Sequence, residues 1–214
     1  MKKSSRKTVN AGRRQRRKKP TTMHAGPPGN SVFLVGFMGA GKSSVGRALG
    51  QRLNWIFEDL DDRIAAREGR TVAEIFRDSG ESEFRRAEQS VLEQVLGELR
   101  GGVARIVALG GGTFAQGQNH KAIQASGVPT VFLDAPVEEL WQRCARQPNL
   151  DAGRPLQASA SKFRELHRNR LPYYRTASLR VDTAGKQVEA IVAEIAQALG
   201  LKIIATRIEE GDVE

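Results

Sequence analysis

A glycine-rich stretch ending in lysine and serine offers the most specific chemistry in this chain. Residues 36–43 read Gly-Phe-Met-Gly-Ala-Gly-Lys-Ser, after an apolar run at 31–35 and before a helical pattern at 44–53. In such a strand–loop–helix unit, backbone N–H groups bind phosphate, the lysine adds a mobile charge and the serine hydroxyl can bind Mg²⁺. The alternative is a chance match among 22 glycines. The flanking strand and helix favour a nucleoside-triphosphate site that includes Lys42 and Ser43.

Two carboxylates follow the second strand-like run. Asp59 and Asp61 lie two residues apart in the segment 58–62, Glu-Asp-Leu-Asp-Asp. At a strand end they can serve separate ligands, one binding Mg²⁺ and its waters and the other a substrate hydroxyl. They can equally act as N-capping acids of a helix over 63–67. The residues alone leave both interpretations open.

A charged pair occupies one side of a predicted helix over 82–99. Arg85 and Glu88 are three residues apart, so they face the same way on that helix. The pair could be a surface ion pair, worth only a few tenths of a kcal/mol. It could instead present Arg85 to an anionic substrate with Glu88 holding the guanidinium, since arginine suits a carboxylate.

Three consecutive glycines, Gly110, Gly111 and Gly112, follow the third strand-like run. Three glycines in a row are costly to order, so a simple turn explains them poorly. Close approach of a ligand to backbone N–H groups explains them better.

The elements that position these residues alternate between strand and helix. Short apolar runs occur at 32–36, 55–57, 105–109, 130–133 and 179–181, with helical patterns between them. This alternation predicts an α/β fold, a parallel sheet with helices on both faces. Ligands of such folds bind at the carboxyl ends of the strands, where the motifs above can converge.

A polar segment at 146–161 interrupts the alternation. It contains prolines and a glycine, has no periodicity, and carries Arg154 in its middle. A loop this long in a compact domain is usually a linker or an active-site lid. The central arginine favours the lid.

The basic character of the chain is confined to one end. The formal net charge is +10 and the isoelectric point is about 10.2, yet residues 1–30 hold ten Lys or Arg and no acid. The remaining 184 residues contain 24 basic and 24 acidic side chains. The folded part is therefore neutral, and the excess charge does not by itself indicate a nucleic-acid-binding domain.

We expect residues 1–30 to be a disordered extension, because they are basic and poor in apolar residues. The extension is either silent, with Met23 as the true start, or a contact for RNA, DNA or acidic lipid, or a transit peptide. The single cysteine, Cys144, excludes an internal disulfide and suits a reducing cytoplasm. No apolar run is long enough to cross a membrane. We expect a monomer, with a polar tail at 201–214.

Taken together, the motifs resemble the shikimate kinase family, small P-loop kinases related to nucleoside-monophosphate kinases. The resemblance covers about 31–200, in the family's order and spacing. Its residues are the loop at 36–43, Asp59-Leu60-Asp61, Phe84-Arg85-Arg86 with Glu88, Gly110-Gly111-Gly112, Arg154-Pro155-Leu156, and Arg170 before Pro172-Tyr173. The third strand runs into glycine instead of the Asp that most P-loop enzymes place there. The family shares this substitution, which transfers the acidic role to Asp59.

The resemblance implies a fold and a set of roles. The sheet would have five parallel strands in the order 2-3-1-4-5, with a mobile lid. Catalysis would depend on Lys42, Asp61 and Arg154, and one Mg²⁺ would be served by Ser43 and, through water, Asp59. ATP would be bound by Gly39, Ala40, Gly41, Lys42, Ser43, Ser44, Arg143 and Arg154. Shikimate would be bound by Asp61, Arg85, Gly110, Gly111, Gly112 and Arg170.

The function implied is transfer of the γ-phosphate of ATP to the 3-hydroxyl of shikimate. One alternative is a catalytically silent sensor module acting on nucleic acid through its tail, although such modules usually lose the residues retained here. Another is a related small-metabolite kinase, such as one for gluconate. The paired arginines Arg85 and Arg170 suit a rigid carboxylate and argue against it.

Overall fold

The computed structural model describes residues 30–146 and 159–204. The basic extension before Asn30, most of the expected lid with Arg154, and the tail beyond 204 lie outside the described residues. Within the described ranges the chain alternates between five strands and seven helices. The predicted α/β class is confirmed.

The strands form one parallel sheet in the order β2-β3-β1-β4-β5, as the family resemblance implies. They are β1 (Ser31–Val35), β2 (Ile56–Asp59), β3 (Arg105–Ala108), β4 (Thr130–Asp134) and β5 (Leu179–Asp182). Strand β1 is central and fully buried, with Phe33 opposite Val107 of β3 and Thr130 of β4. Because all strands run the same way, the loops after β1, β2 and β3 share one edge of the sheet.

The helices cover this sheet. They are α1 (Lys42–Leu53), α2 (Leu60–Glu68), α3 (Val72–Leu99), α4 (Gly117–Ser126), α5 (Val137–Ala145), α6 (Ala160–Tyr174) and α7 (Val188–Ala198). Helix α1 packs beside α7, and α2 packs against α3. Buried aliphatic and aromatic side chains fill the space between helices and sheet, and Cys144 is buried among them. In the described part of the chain, no helix is both long and apolar enough to span a membrane.

Most elements differ from their predicted bounds by one to three residues, and two differences bear on the site. Strand β2 runs to Asp59 instead of ending near residue 57, because Glu58 and Asp59 pair with Val107 and Ala108 of β3. Helix α3 begins at Val72, well before the predicted helix over 82–99, and is broken at Gly80, whose φ of 79° is left-handed. These bounds are set by backbone pairing between strands and by a kink at a glycine. Neither feature leaves a hydrophobic periodicity in the sequence, so the sequence pattern does not predict them.

A ring of four charged side chains joins β2, β3, α2 and α3. Arg63 donates to Glu58 at 2.9 Å and to Glu98, while Arg105 donates to Glu58 at 2.8 Å and to Glu98 at 2.7 Å. The Arg105 side chain is only 13% exposed. The ring explains how charged Glu58 is accommodated within a strand directly before Asp59.

We expect Glu98→Gln to lower the free energy of unfolding at pH 7 by about 1 kcal/mol. The hydrogen bond from Arg63 is the main cause that lowers the pKa of Glu98 from 4.5 to about 2, and Arg105 adds to it. A carboxylate with a depressed folded-state pKa stabilises above its unfolded pKa, and this stabilisation is lost as the pH falls toward 2. The expected loss of stability is small because 41% of the Glu98 side chain is exposed, and solvent screens its ion pairs.

Urea unfolding at pH 7 and at pH 3 measures this effect. The variant should lose stability less steeply on acidification than the unchanged protein. The exposed Glu93 on the same helix provides the control variant Glu93→Gln, for which we expect little change. Equal acid dependence in the unchanged protein and Glu98→Gln would contradict the assignment.

Candidate active site

The loop between β1 and α1 has the backbone needed to surround a phosphate. Gly39 and Gly41 have φ values of 77° and 87°, which place both in the left-handed region. Helix α1 begins directly after Gly41 with no side-chain cap and no acid in its first turn. Its N-terminal N–H groups therefore point at the loop, ready for an anion.

The lysine of this loop folds back over the loop backbone. Lys42 Nζ donates to the carbonyl oxygens of Gly36 at 3.0 Å and Phe37 at 3.1 Å. These contacts hold the ammonium group over the backbone that would surround a phosphate. Gly36 itself has no room for a side chain, since a Cβ there would lie 2.7 Å from the carbonyl oxygen of Leu133.

Asp59, the last residue of β2, has two roles at once. Asp59 caps α2, because its Oδ1 accepts from the backbone N–H of Asp61 at 3.1 Å. Its Oδ2 accepts from Ser43 Oγ at 2.7 Å. Burial is the main cause that raises the pKa of Asp59, and the hydrogen bond from Ser43 opposes it. Capping and a functional contact with the loop are therefore compatible.

The oxygens of Ser43 and Asp59 fit a magnesium ion. Mg²⁺ prefers oxygen ligands and keeps several waters, so one or two protein side chains beside bound phosphates suffice. Within residues 30–146 and 159–204, no group of three or more His, Cys, Asp or Glu could hold a metal ion. A hydroxyl and a carboxylate oxygen 2.7 Å apart beside the phosphate loop match this sparse ligand set.

A cavity of about 420 Å³ opens at the carboxyl ends of the strands. Its walls are partly apolar and its floor carries charges and glycines. The lining residues are Met38, Asp61, Phe76, Glu81, Phe84, Arg85, Glu88, Gly110, Gly111, Gly112, Leu166 and Arg170. Met38 belongs to the phosphate loop, so the cavity and the loop adjoin. The structure thus brings together every residue that the resemblance assigns to shikimate.

Two guanidinium groups meet over the glycine triplet. A Cβ on Gly112 would lie 2.8 Å from Arg85 Nη1 and 3.1 Å from Arg170 Nη2. A Cβ on Gly110 would lie 2.6 Å from Asp61 Oδ1. Gly110 and Gly112 have no room for a side chain because an aspartate and two arginines approach them closely, whereas a Cβ on Gly111 would meet its nearest atom at 3.5 Å. Side chains at positions 110 and 112 would displace the groups that face the cavity.

Arg85 and Glu88 do not form a surface pair. Glu88 is 1% exposed, and its carboxylate accepts from Arg85 Nη1 at 3.0 Å, from Thr113 Oγ1 at 2.6 Å and from Gln116. A buried carboxylate with three donors is fixed in place and orients its arginine. Glu81 accepts from Nε and Nη2 of Arg85 at 3.2 and 3.0 Å.

The remaining predicted residues that the structure describes lie around the phosphate loop. Arg143 donates to the carbonyl oxygens of Gly39 at 3.3 Å and Thr183 at 2.9 Å, and to Glu139 at 2.6 Å. The structure therefore places Arg143 beside the loop and the segment after β5. Ala40 is buried, and its N–H donates to Phe37 at 3.2 Å. Ser44 lies in the first turn of α1, and Arg154 lies outside the described residues.

Comparison with known proteins identifies the family. The sequence model of shikimate kinase matches residues 38–200. The chain belongs to the shikimate kinase family. The shikimate kinase of Persephonella marina is 37% identical over 166 residues, covering 77% of this chain and 96% of that protein. The shikimate kinase of Geobacter metallireducens is 38% identical over 178 residues, covering 82% and 94%.

A solved shikimate kinase shares the architecture. The structure of the Acinetobacter baumannii shikimate kinase in complex with shikimate superposes with a TM-score of 0.71 at 33% identity. The match covers 79% of this chain and 92% of that chain. The fold and the family resemblance inferred from the sequence are thereby confirmed.

Several residues of this shikimate kinase family site were missed by the sequence analysis. Glu81 precedes Arg85 by four residues, and Tyr174 follows Arg170 by four, so helical spacing could have indicated both. Thr113 follows the glycine triplet directly. Gln116 carries no such signal, because it reaches the site only through its hydrogen bond to Glu88. The apolar lining residues Phe76 and Leu166 carry none either, because only the docking of α3 and α6 brings them to the cavity.

Proposed function

We propose that the chain transfers the γ-phosphate of ATP to the 3-hydroxyl of shikimate, giving shikimate 3-phosphate and ADP. The observation that carries this proposal is the pair of guanidinium groups over Gly112, in a cavity that also holds Asp61 and adjoins the phosphate loop. The Acinetobacter baumannii relative with this fold was solved with shikimate bound. A rigid carboxylate with several hydroxyls matches a cavity with two arginines and one aspartate.

The cavity residues orient the acceptor. Arg85 and Arg170 bind the carboxylate of shikimate, and the ring lies over Gly110, Gly111 and Gly112, whose backbone offers close polar contacts. Asp61, in the same cavity, orients the attacking hydroxyl and can accept its proton. Glu88 keeps Arg85 in position from a buried site.

The phosphate loop orients the donor. Backbone N–H groups of Gly39 and Gly41 and of the first turn of α1 with Ser44 bind the phosphates. Ala40 holds the loop in shape, because its N–H donates to the carbonyl oxygen of Phe37. Lys42 adds positive charge where negative charge develops on the transferred group. Arg143, beside the loop, is on the side that we assign to the adenine. Arg154, which lies outside the described residues, would add positive charge near the phosphates, as the family resemblance implies.

Ser43 and Asp59 would hold one Mg²⁺, Ser43 directly and Asp59 through water. When bound, the ion neutralises charge on the β- and γ-phosphates. Asp59 also caps α2, so the same carboxylate fixes the position of Asp61 relative to the phosphate loop. Strand β3 ends at Ala108 and leads through Leu109 into Gly110, so it offers no carboxylate for the ion at this place.

Removing the serine hydroxyl tests the metal assignment. We expect Ser43→Ala to lower kcat about 10–100-fold and to raise the Mg²⁺ concentration needed for half-maximal rate, because one ligand is lost. Ser43→Thr keeps a hydroxyl and should retain most of the activity. Titrating Mg²⁺ at fixed ATP measures both. The same Mg²⁺ dependence in Ser43→Ala and the unchanged protein would contradict the role.

The substrate is tested by ADP release against a panel of acceptors. Shikimate should support turnover with ATP and Mg²⁺, whereas the methyl ester of shikimate and gluconate should support little. The ester keeps every hydroxyl but replaces the carboxylate that the two arginines recognise with a neutral, slightly larger group. Equal rates with shikimate and its ester, or activity with gluconate alone, would contradict the proposal.

We further propose that the chain acts as a monomer in the cytoplasm. Within the described residues, the large apolar side chains that are exposed are few: Ile56, Val103, Tyr173 and Ile204. The single cysteine suits a reducing compartment. Contact of residues 1–30 with nucleic acid is tested by comparing the full chain with a variant starting at Met23 at low and high salt.

A further inference from the structure

The tyrosine at the end of α6 links the two parts of the acceptor site. Tyr174 is fully buried, and its ring stacks on Phe132 of β4 with centroids 5.3 Å apart. It follows Arg170 by four residues on the same helix, so both side chains lie on one face. The neighbouring Tyr173 is 38% exposed and does not line the cavity.

The hydroxyl of Tyr174 has two partners in the site. It donates to the carbonyl oxygen of Gly111, and it accepts from the guanidinium group of Arg170. A phenol has one proton to donate, so the two contacts use the hydroxyl in its two different capacities. Burial raises the pKa of Tyr174 to about 12, so the hydroxyl keeps its proton at neutral pH.

The two contacts of the Tyr174 hydroxyl keep the guanidinium group of Arg170 close to the glycine backbone. Arg170 Nη1 lies 3.5 Å from the position that a Cβ on Gly111 would occupy, and Arg170 Nη2 lies 3.1 Å from the position of a Cβ on Gly112. The glycines have no side chains to hold Arg170 at this spacing. Arg170 also lies over the ring of Phe37, 5.7 Å from its centroid, but that contact does not involve the glycines. The buried hydroxyl, joined to both groups, restrains the arginine relative to the glycine backbone.

We propose that Tyr174 is a positioning residue for the acceptor: its hydroxyl fixes Arg170 and the backbone of Gly111 relative to each other. The carboxylate-binding arginine and the ring-binding backbone then form one unit. This inference rests on the proposed function, in which Arg170 binds the carboxylate of shikimate. Tyr174 does not line the cavity and acts only through these two partners.

Tyr174→Phe tests the proposal because it removes the hydroxyl and keeps the ring on Phe132. We expect KM for shikimate to rise about tenfold, equivalent to about 1.4 kcal/mol, while kcat and KM for ATP stay within about twofold. The matched control Tyr173→Phe removes the neighbouring exposed hydroxyl and should leave all three constants unchanged. In an Arg170→Lys background, Tyr174→Phe should raise KM less than about threefold, because its main partner is altered.

The variant Phe132→Leu distinguishes the positioning role of the Tyr174 hydroxyl from a merely structural role of its ring. This variant loosens the stack beneath Tyr174 and lowers Tm, but it keeps the hydroxyl, so KM for shikimate should stay within about twofold. Each variant is assayed at a temperature at which circular dichroism shows it folded. An unchanged KM in Tyr174→Phe, or a rise that Phe132→Leu reproduces, would overturn the inference. Absence of shikimate turnover in the unchanged protein would instead overturn the proposed function.

Discussion

Asp61→Asn is expected to lower kcat for shikimate phosphorylation by about 10²–10⁴-fold while leaving the fold intact. The amide keeps the size of the side chain, but it cannot accept the proton of the attacking hydroxyl. Asp61 lines the cavity beside Gly110, and the capping contact with Asp59 uses the backbone N–H of residue 61, which the substitution retains. Helix α2 should therefore still begin at its normal place.

Single-turnover kinetics and thermal unfolding measure the two sides of this prediction. The neighbouring Asp62 is exposed and does not line the cavity, so Asp62→Asn is the matched control and should retain nearly full activity. A kcat of Asp61→Asn within about threefold of the unchanged protein would remove Asp61 from the chemistry.

Arg85→Lys is expected to raise KM for shikimate about 10–100-fold with a smaller change in kcat. Lysine keeps the positive charge but lacks the planar pair of donors that matches a carboxylate. It also leaves a cation beside buried Glu88, which truncation to alanine would not. Binding that is lost equally in the ground state and the transition state appears in KM.

The next residue on the helix supplies the control. Arg86 is 73% exposed and pairs with Glu83 on the helix surface, so Arg86→Lys should change neither constant. KM for ATP should also be unaffected by Arg85→Lys. Isothermal titration of shikimate measures the affinity directly. Equal affinities of Arg85→Lys and Arg86→Lys would show that Arg85 does not bind the carboxylate.

Local patterns in the sequence predict the parts of the site that sit on single elements. The glycines of the phosphate loop, Lys42 and Ser43 follow from their spacing between a buried strand and a helix. The parallel sheet follows from the alternation of elements. These features depend on residues that are close in sequence, so a short segment of the chain is enough to predict each of them.

Features that depend on tertiary packing could not be predicted in the same way. Asp59 contacts Ser43 only because β2 extends to Asp59 through pairing with β3. Whether Glu88 is buried or exposed depends on Thr113 and Gln116, which lie more than 20 residues away in sequence. The sequence alone therefore leaves these roles open between a functional and a structural interpretation.

The position of the phosphate on the product tests the central claim most directly. Proton–phosphorus correlation NMR of the product formed from shikimate, ATP and Mg²⁺ should show phosphorus coupled to the proton on C3, with one ADP formed per product. Phosphorus coupled to the proton on C4 or C5 would contradict the orientation given by Arg85, Arg170 and Asp61. ADP release without phosphorylated shikimate would contradict the kinase function itself.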